Sequence, residues 1–379
     1  MTVRAAATAD AIGTAGTTDA AEIAAWLRLT RVPGIGKAAV RQLLAAFGLP
    51  QRLFALDAAA LSRVIPARHA NALLAPPDAA TLALVERTVA WTAEPGNHLL
   101  TLADAAYPRA LLDLADPPPV LYVKGRLELL ARAGVAMVGA RNATLQGVED
   151  ARRFAGALSQ AGLAVVSGMA LGIDGAAHDG ALAGPGGTVA VIGTGIDVVY
   201  PARHRALAHR IAEAGALVSE FPLGTAPRSQ HFPQRNRIIA ALVRGVLVVE
   251  AAARSGSLIT ARLAAELGRE VYAMPGSIHA PLSKGCHLLI RQGAKLVETA
   301  QDVLEELGIA AGAAPRTAPP PAPRADDLLG AALAHDPVAL DVLCARAALP
   351  PEQVAAALLA LELEGTVERL PGNLYRRLV

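Results

Sequence analysis

Cysteine is scarce in this chain of 379 residues, with only Cys286 and Cys344, which lie far apart and lack the close spacing of metal ligands. That excludes a disulfide-built scaffold and points to a reducing compartment. Aromatic residues amount to 3%, so no binding surface can rest mainly on stacking. Lysine is rare, arginine is common, and the net charge of +2 is close to neutral. A nucleic-acid surface would therefore have to be a local, arginine-built patch. No apolar run reaches membrane-spanning length, and the Ala/Thr-rich start lacks the basic residues and apolar block of a secretory signal. The expectation is a cytoplasmic protein with no membrane partner and a disordered stretch over 1–18.

What the chain does have is apolar residues, 53% of the total, enough at this length for two or three domains. It is organised around Ala164 to Gly180, A-V-V-S-G-M-A-L-G-I-D-G-A-A-H-D-G. A β-branched run ends in Ser167-Gly168, and Gly172 and Gly175 lead into an Ala-rich segment: a strand, a tight turn and a helix start. Outward N–H groups at such a start favour an anion. Ser167, Asp174 and His178 are the polar side chains of the turn and the first helical turns.

Residues 19–98 read as helical. Their distinctive phrase, Val32-Pro33-Gly34-Ile35-Gly36-Lys37 followed by apolar residues at helical spacing, resembles a helix-hairpin-helix. In that motif backbone N–H groups meet a nucleic-acid phosphate without reading bases. A plain helix-helix turn that needs glycine for positive φ explains the phrase equally well, so a contact through Gly34, Gly36 and Lys37 would be auxiliary. Three consecutive prolines at 117–119 then force an extended connection into a short strand.

From Val135 to about Thr299 short apolar strands alternate with helices. The strands fall at 135–138, 164–166, 188–192, 217–219, 246–249, 271–273 and 295–297. Strands this apolar are covered on both faces, which defines an α/β, doubly wound and mainly parallel sheet with ligands beyond its carboxyl ends. The informative residues gather there: Gly139-Ala140-Arg141, Ser167-Gly168, Gly193-Thr194-Gly195, Ser219-Glu220 and Glu250.

Gly193-Thr194-Gly195 lacks the third glycine of a dinucleotide fingerprint and sits on an interior strand, so no nicotinamide site is expected. Pro185-Gly186-Gly187 precedes its strand and reads as a turn. Phe232-Pro233-Gln234-Arg235-Asn236-Arg237 sets two arginines and an amide around a helix start, either a solvated charge pair or an anion grip. Ser255-Gly256-Ser257 opens another helix, followed by Thr260; capping alone would explain either serine. No Ser-His-Asp set, metal cluster or paired carboxylates can be assembled. Asp174 and His178, at i and i+4, read as supports that hold the turn in shape.

The ordered series S-G-M-A-x-G-I-D-x-x-A-H, G-x-G-x-D-x-x-Y-P, F-P-x-R-N-R-I-I, V-V-E-A-x-x-x-S-G-S-L-I-T-A and M-P-G, between about Tyr107 and Thr299, closely resembles the DNA-processing family DprA, also called Smf. The resemblance implies an extended Rossmann-like domain over 99–307 that binds single-stranded DNA. It further implies a homodimer that takes no cofactor and loads the recombinase RecA during natural transformation, on DNA that single-strand binding protein also coats. The family is not known for catalysis. The contacts expected on this basis are Gly139, Arg141, Ser167, Gly168, Met169, Gly172, Asp174, His178, Gly195, Tyr200, Arg205, Phe232, Arg235, Asn236, Arg237, Ser255, Gly256 and Thr260. One departure is the Gly193–Arg205 stretch, where a lysine is expected and His204 and Arg205 stand.

Residues 308–327 read as a Pro/Ala-rich linker. Beyond it, over 328–379, two helices and a hairpin turning at Pro371-Gly372-Asn373 resemble a winged helix, which many DprA proteins carry. No Lys or Arg falls between Glu352 and Glu368, which argues against major-groove reading. The competing function is a phosphoribohydrolase-like enzyme on the same scaffold with Glu250 as its carboxylate.

Overall fold

The computed structural model describes residues 19–309, 333, 336–347 and 349–378. The stretch expected to be disordered, 1–18, and the greater part of the Pro/Ala-rich linker, 310–327, lie outside the described residues.

Six helices come first: α1 (Ala20–Arg31), α2 (Lys37–Phe47), α3 (Pro50–Leu53), α4 (Ala58–Leu61), α5 (Ala67–Leu74) and α6 (Ala79–Thr92). Asp19, Asp57 and Asp78 start three of them by accepting a backbone N–H of the first turn. Between α1 and α2 the chain reverses at Gly34, whose φ of +82° excludes most other residues. Leu29, Val40, Leu43, Leu61 and Leu73 close a small core around that turn.

The central unit alternates strands and helices: β1 (Asn97–Thr101), β2 (Val120–Gly125), β3 (Gly134–Val138), α7 (Leu145–Gln160), β4 (Ala164–Ser167), α8 (Ile173–Ala181), β5 (Thr188–Val191), α9 (Arg205–Ala214), β6 (Ala216–Ser219), α10 (His231–Ala241), β7 (Gly245–Val248), α11 (Ser257–Glu266), β8 (Glu270–Ala273), α12 (Lys284–Arg291), β9 (Lys295–Leu296) and α13 (Ala300–Glu306). The nine strands form one sheet in the order β1-β2-β6-β5-β4-β3-β7-β8-β9. β6 to β9 run parallel along this order, whereas β1/β2 and β2/β6 pair antiparallel. The interior strands are buried on both faces. That is why they read as continuous apolar runs rather than alternating ones.

All seven strands drawn from the sequence are present within a residue or two. The differences lie at the antiparallel edge. β1 spans the 98/99 position at which the helical and α/β units were divided, and Asn97 Nδ2 ties it back to Trp91 O at 2.9 Å. Its five residues, N-H-L-L-T, are too few to show a period after a long helix.

The last unit contains β10 (Val338–Ala339), α14 (Leu340–Ala347), α15 (Pro351–Leu363), β11 (Val367–Leu370) and β12 (Leu374–Arg377). β12 is central in a three-stranded sheet, and Asn373 turns the hairpin with a φ of +59°. Two helices and a wing make this a winged-helix unit. Among the described residues, no single helix is long and apolar enough to cross a membrane.

Candidate functional site

The Ser167–Gly172 turn, expected to present helix-start N–H groups to a ligand, gives them to the protein instead. α8 begins at Ile173, after Gly172. The N–H groups of Gly168 and Ala170 donate to Asp174 Oδ2 at 3.1 and 3.3 Å, and that of Ile173 to Ala140 O. Ser167 Oγ is fully buried and donates to Met137 O at 2.6 Å. An aspartate here takes the place that an anionic ligand would occupy. Burial pushes its carboxyl above the usual range, against the opposing pull of Arg235 and the two N–H groups. Met169 holds a left-handed φ of +58°, and its carbonyl meets His204 Nδ1 at 3.1 Å. Asp174 thus shapes the turn, and His204 braces it through the Met169 carbonyl.

His178 does not share that role. It is fully buried, with Nδ1 2.7 Å from Thr188 Oγ1. The threonine hydroxyl donates to Val165 O, so the histidine carries its proton on Nδ1. Nε2 has no partner, and burial, with repulsion from His204 and Arg235, lowers the pKa to about 3. Because the unfolded chain binds a proton near pH 6.5 and the folded one only near 3, stability falls as pH drops through that window, by up to about 1.4 kcal/mol per unit. Urea midpoints at pH 7 and pH 5 are expected to differ more for the native chain than for His178→Gln. The raised Asp174 acts with opposite sign but equally in both proteins.

A groove lies next to this turn. A cleft of about 260 Å³ at the carboxyl ends of β3, β4 and β7 is lined by Gly139, Arg141, Asp174, Phe232, Arg235, Asn236, Ser255, Gly256 and Thr260, all expected from the sequence. A second hollow of about 70 Å³ adds Gly168, Met169 and Tyr200, and shares Arg141, Ala170, Phe232 and Arg235 with the first. The two form one groove. The Tyr200 and Phe232 rings lie 5.5 Å apart at its outer end, and Arg141 stands 5.8 Å over Phe232. Arg235 is buried at its floor, with Nη1 donating to Val191 O at 2.7 Å and Nε without a partner. Burial lowers its pKa to about 10, which leaves it charged at neutral pH. The groove thus holds two guanidiniums, small hydroxyls at the start of α11, and one carboxylate already engaged by backbone N–H groups.

Several expected contacts lie elsewhere, for physical reasons. Ser167 and His178 are beneath the turn. Gly172, with φ +74°, is a spacer whose added Cβ would lie 2.3 Å from Ala140 O. Gly195 is packed against Asp197 and Pro222. Arg205, exposed at the start of α9, does not line the groove. Arg237 points away from it to Glu220 and Asp116. Gly34 and Gly36 bound the α1–α2 turn, and Lys37 is ion-paired with Glu220. Glu250 accepts from Thr144 N at 3.0 Å and Thr144 Oγ1 at 2.5 Å, where it braces the start of α7 outside the groove.

Ser229, Ile239 and Ile259 also line the cleft without having been singled out in the sequence, and so does Ser257, whose hydroxyl capping alone had explained. Ile239 was findable, because it follows Arg235 by four residues on one helical face.

An extended Rossmann-like sheet with a cationic groove at its strand ends, followed by a winged helix, defines a class of DNA-handling protein. The profile of DNA recombination-mediator protein A matches residues 98–308, and that of the DprA winged helix domain matches 312–373. Protein Smf of Escherichia coli is 42% identical over 302 residues, covering 77% of this chain and 80% of that protein. The crystal structure of DprA from Streptococcus pneumoniae superposes with a TM-score of 0.64 at 39% identity, over 74% of this chain and 95% of that one. DNA processing protein A from Helicobacter pylori, whose structure is described for its single-stranded DNA binding mode, matches with a TM-score of 0.51 at 31% identity, over 55% and 95% of the two chains. The chain belongs to the DprA/Smf family of DNA-processing proteins.

Proposed function

We propose that this protein is a non-enzymatic mediator that holds single-stranded DNA in the Arg141–Phe232–Arg235 groove and loads RecA onto it during natural transformation. The observation that carries the reading is the groove's make-up. Arg141 and Arg235 supply positive charge, the Tyr200/Phe232 pair supplies one stacking platform, and Asn236, Ser255 and Ser257 supply neutral polar groups. Such a surface grips phosphate and tolerates any base. With one aromatic pair, affinity rests on phosphate and is salt-sensitive. The protein acts in the cytoplasm as a homodimer, on strands that single-strand binding protein also covers. The winged helix, lacking Lys and Arg on α15, serves a protein contact or weak DNA contact rather than base reading.

Against the hydrolase stands the placement of Glu250: both of its oxygens accept from Thr144, and the half-buried side chain lines a separate cavity of about 500 Å³, away from the two arginines of the groove. A general base has to meet a proton of the substrate held in the same site. Nucleoside monophosphates incubated with the protein, with or without divalent metal, are expected to come back intact. In the same preparation, strands coated with single-strand binding protein should become competent for RecA filament growth. Release of free base that Glu250→Gln abolishes would replace the mediator with the hydrolase. Failure to assist a cognate RecA would reduce the function to DNA binding.

A further inference from the structure

Glu220 and Phe221 follow β6 directly, and neither lines the groove. The Phe221 ring stacks on that of His231, the first residue of α10, with centroids 4.2 Å apart. His231 Nδ1 lies 3.2 Å from Gly193 O. One residue earlier, the Glu220 carboxylate is 2% exposed and accepts from Arg237 Nη2 at 2.5 Å and from Lys37 Nζ. Asp116 faces Arg237 Nε at 3.5 Å. Tyr107 closes the cluster with its hydroxyl donating to Pro118 O at 2.8 Å, and burial keeps it neutral. Two consecutive residues therefore hold α10 at His231 and at Arg237. Between those points lie Phe232, Arg235 and Asn236, three of the residues that α10 contributes to the groove.

We propose that Glu220 is a positioning residue for the DNA grip, and that Lys37 clamps the helical unit to it, so that the α1–α2 turn acts on the strand from behind α10 without touching phosphate. This rests on the single-strand reading of the groove. One buried carboxylate shared by two cations is a rigid joint, because removing it leaves Arg237 buried with only the more distant Asp116. A small shift of α10 then moves Arg235 and Phe232 together, and a misplacement near 1 Å is enough to lose a well-aligned contact. The arrangement also gives the lysine that follows the hairpin glycines a partner inside the protein, Glu220.

Charge and position predict opposite signs. If Glu220 were only a negative charge near DNA, Glu220→Gln would tighten binding. As a positioning residue its loss weakens binding, by roughly tenfold. The test uses the full chain and fluorescence anisotropy of a labelled oligo-dT over a salt series, for Glu220→Gln, Lys37→Met and Lys37→Arg. Lys37→Met is expected to weaken binding with an unchanged log-log salt slope, and Lys37→Arg to restore it. A lysine that touched a phosphate would instead lower the slope by about 0.7. Hydrogen exchange in the absence of DNA gives an independent readout. Amides of α10 in Glu220→Gln should lose protection while those of α11 keep it. Binding by Glu220→Gln that equals or exceeds the native affinity, a reduced slope in Lys37→Met, or unchanged α10 protection would each overturn the proposal. Failure of the native chain to bind oligo-dT would instead count against the groove's function, and the exchange result would still decide whether Glu220 positions α10.

Discussion

Gly168→Ala is expected to abolish tight single-strand binding and to lower stability by about 3 kcal/mol. A Cβ at this position would lie 1.7 Å from Arg235 Nη1 and 2.5 Å from its Cζ. The guanidinium cannot simply swing aside, because it is buried and Nη1 donates to Val191 O at 2.7 Å. Displacing it breaks that bond and leaves a buried charge without its acceptor, which costs far more than the added methyl gains. The φ of Gly168 is not in the left-handed region, so the glycine is required by space alone. Gly256→Ala is the control for stability alone, since the residue lines the groove. It lines the same cleft with helical backbone angles (φ −62°, ψ −22°), and an added Cβ there has no heavy atom within 4 Å. Chemical denaturation and anisotropy on both variants check the pair. A Gly168→Ala protein with native stability and affinity would mean that Arg235 has room to move and is not fixed at the groove floor.

These two glycines mark what could and could not be read in the sequence. The parallel strands were legible because burial on both faces leaves an unbroken apolar run, and their carboxyl ends were legible because polar and small residues cluster there. The groove was legible as a set of phrases. Its inner geometry was not, since spacing along the chain does not tell which side of a helix start is spoken for. Gly168 looked like an anion cradle, but Asp174, six residues later, fills it. Arg235 and Arg237 looked alike, two positions apart on α10. That offset turns them to opposite sides, one to the groove and one to Glu220. Lys37 looked free in a hairpin, and its partner lies 183 residues away. Each of these errors concerns which polar partner a group finds in the fold, near in the chain for Gly168 and far for Lys37, and hydrophobic pattern does not encode that.

Arg141→Ala is expected to weaken single-strand binding between about tenfold and a hundredfold, the equivalent of roughly 1.5 to 3 kcal/mol for a lost charge-assisted contact. Unlike Arg235, this arginine is exposed, three residues past the end of β3. Its guanidinium stands 5.8 Å from the Phe232 ring centroid and lines both hollows of the groove. It therefore sits where a phosphate next to a base stacked on Phe232 or Tyr200 would pass. Substituting it should leave stability within about 0.5 kcal/mol of native, as for other surface changes. Loss of affinity can then be assigned to the contact and not to unfolding. The salt series supplies the decisive number. Native binding should follow a log-log slope of about −0.7 per phosphate contacted, and Arg141→Ala should be shallower by about one such unit. Equal affinity with an equal slope would remove Arg141 from the site. Lower affinity with an unchanged slope would assign it to the aromatic platform, where it orders Phe232 instead of meeting phosphate.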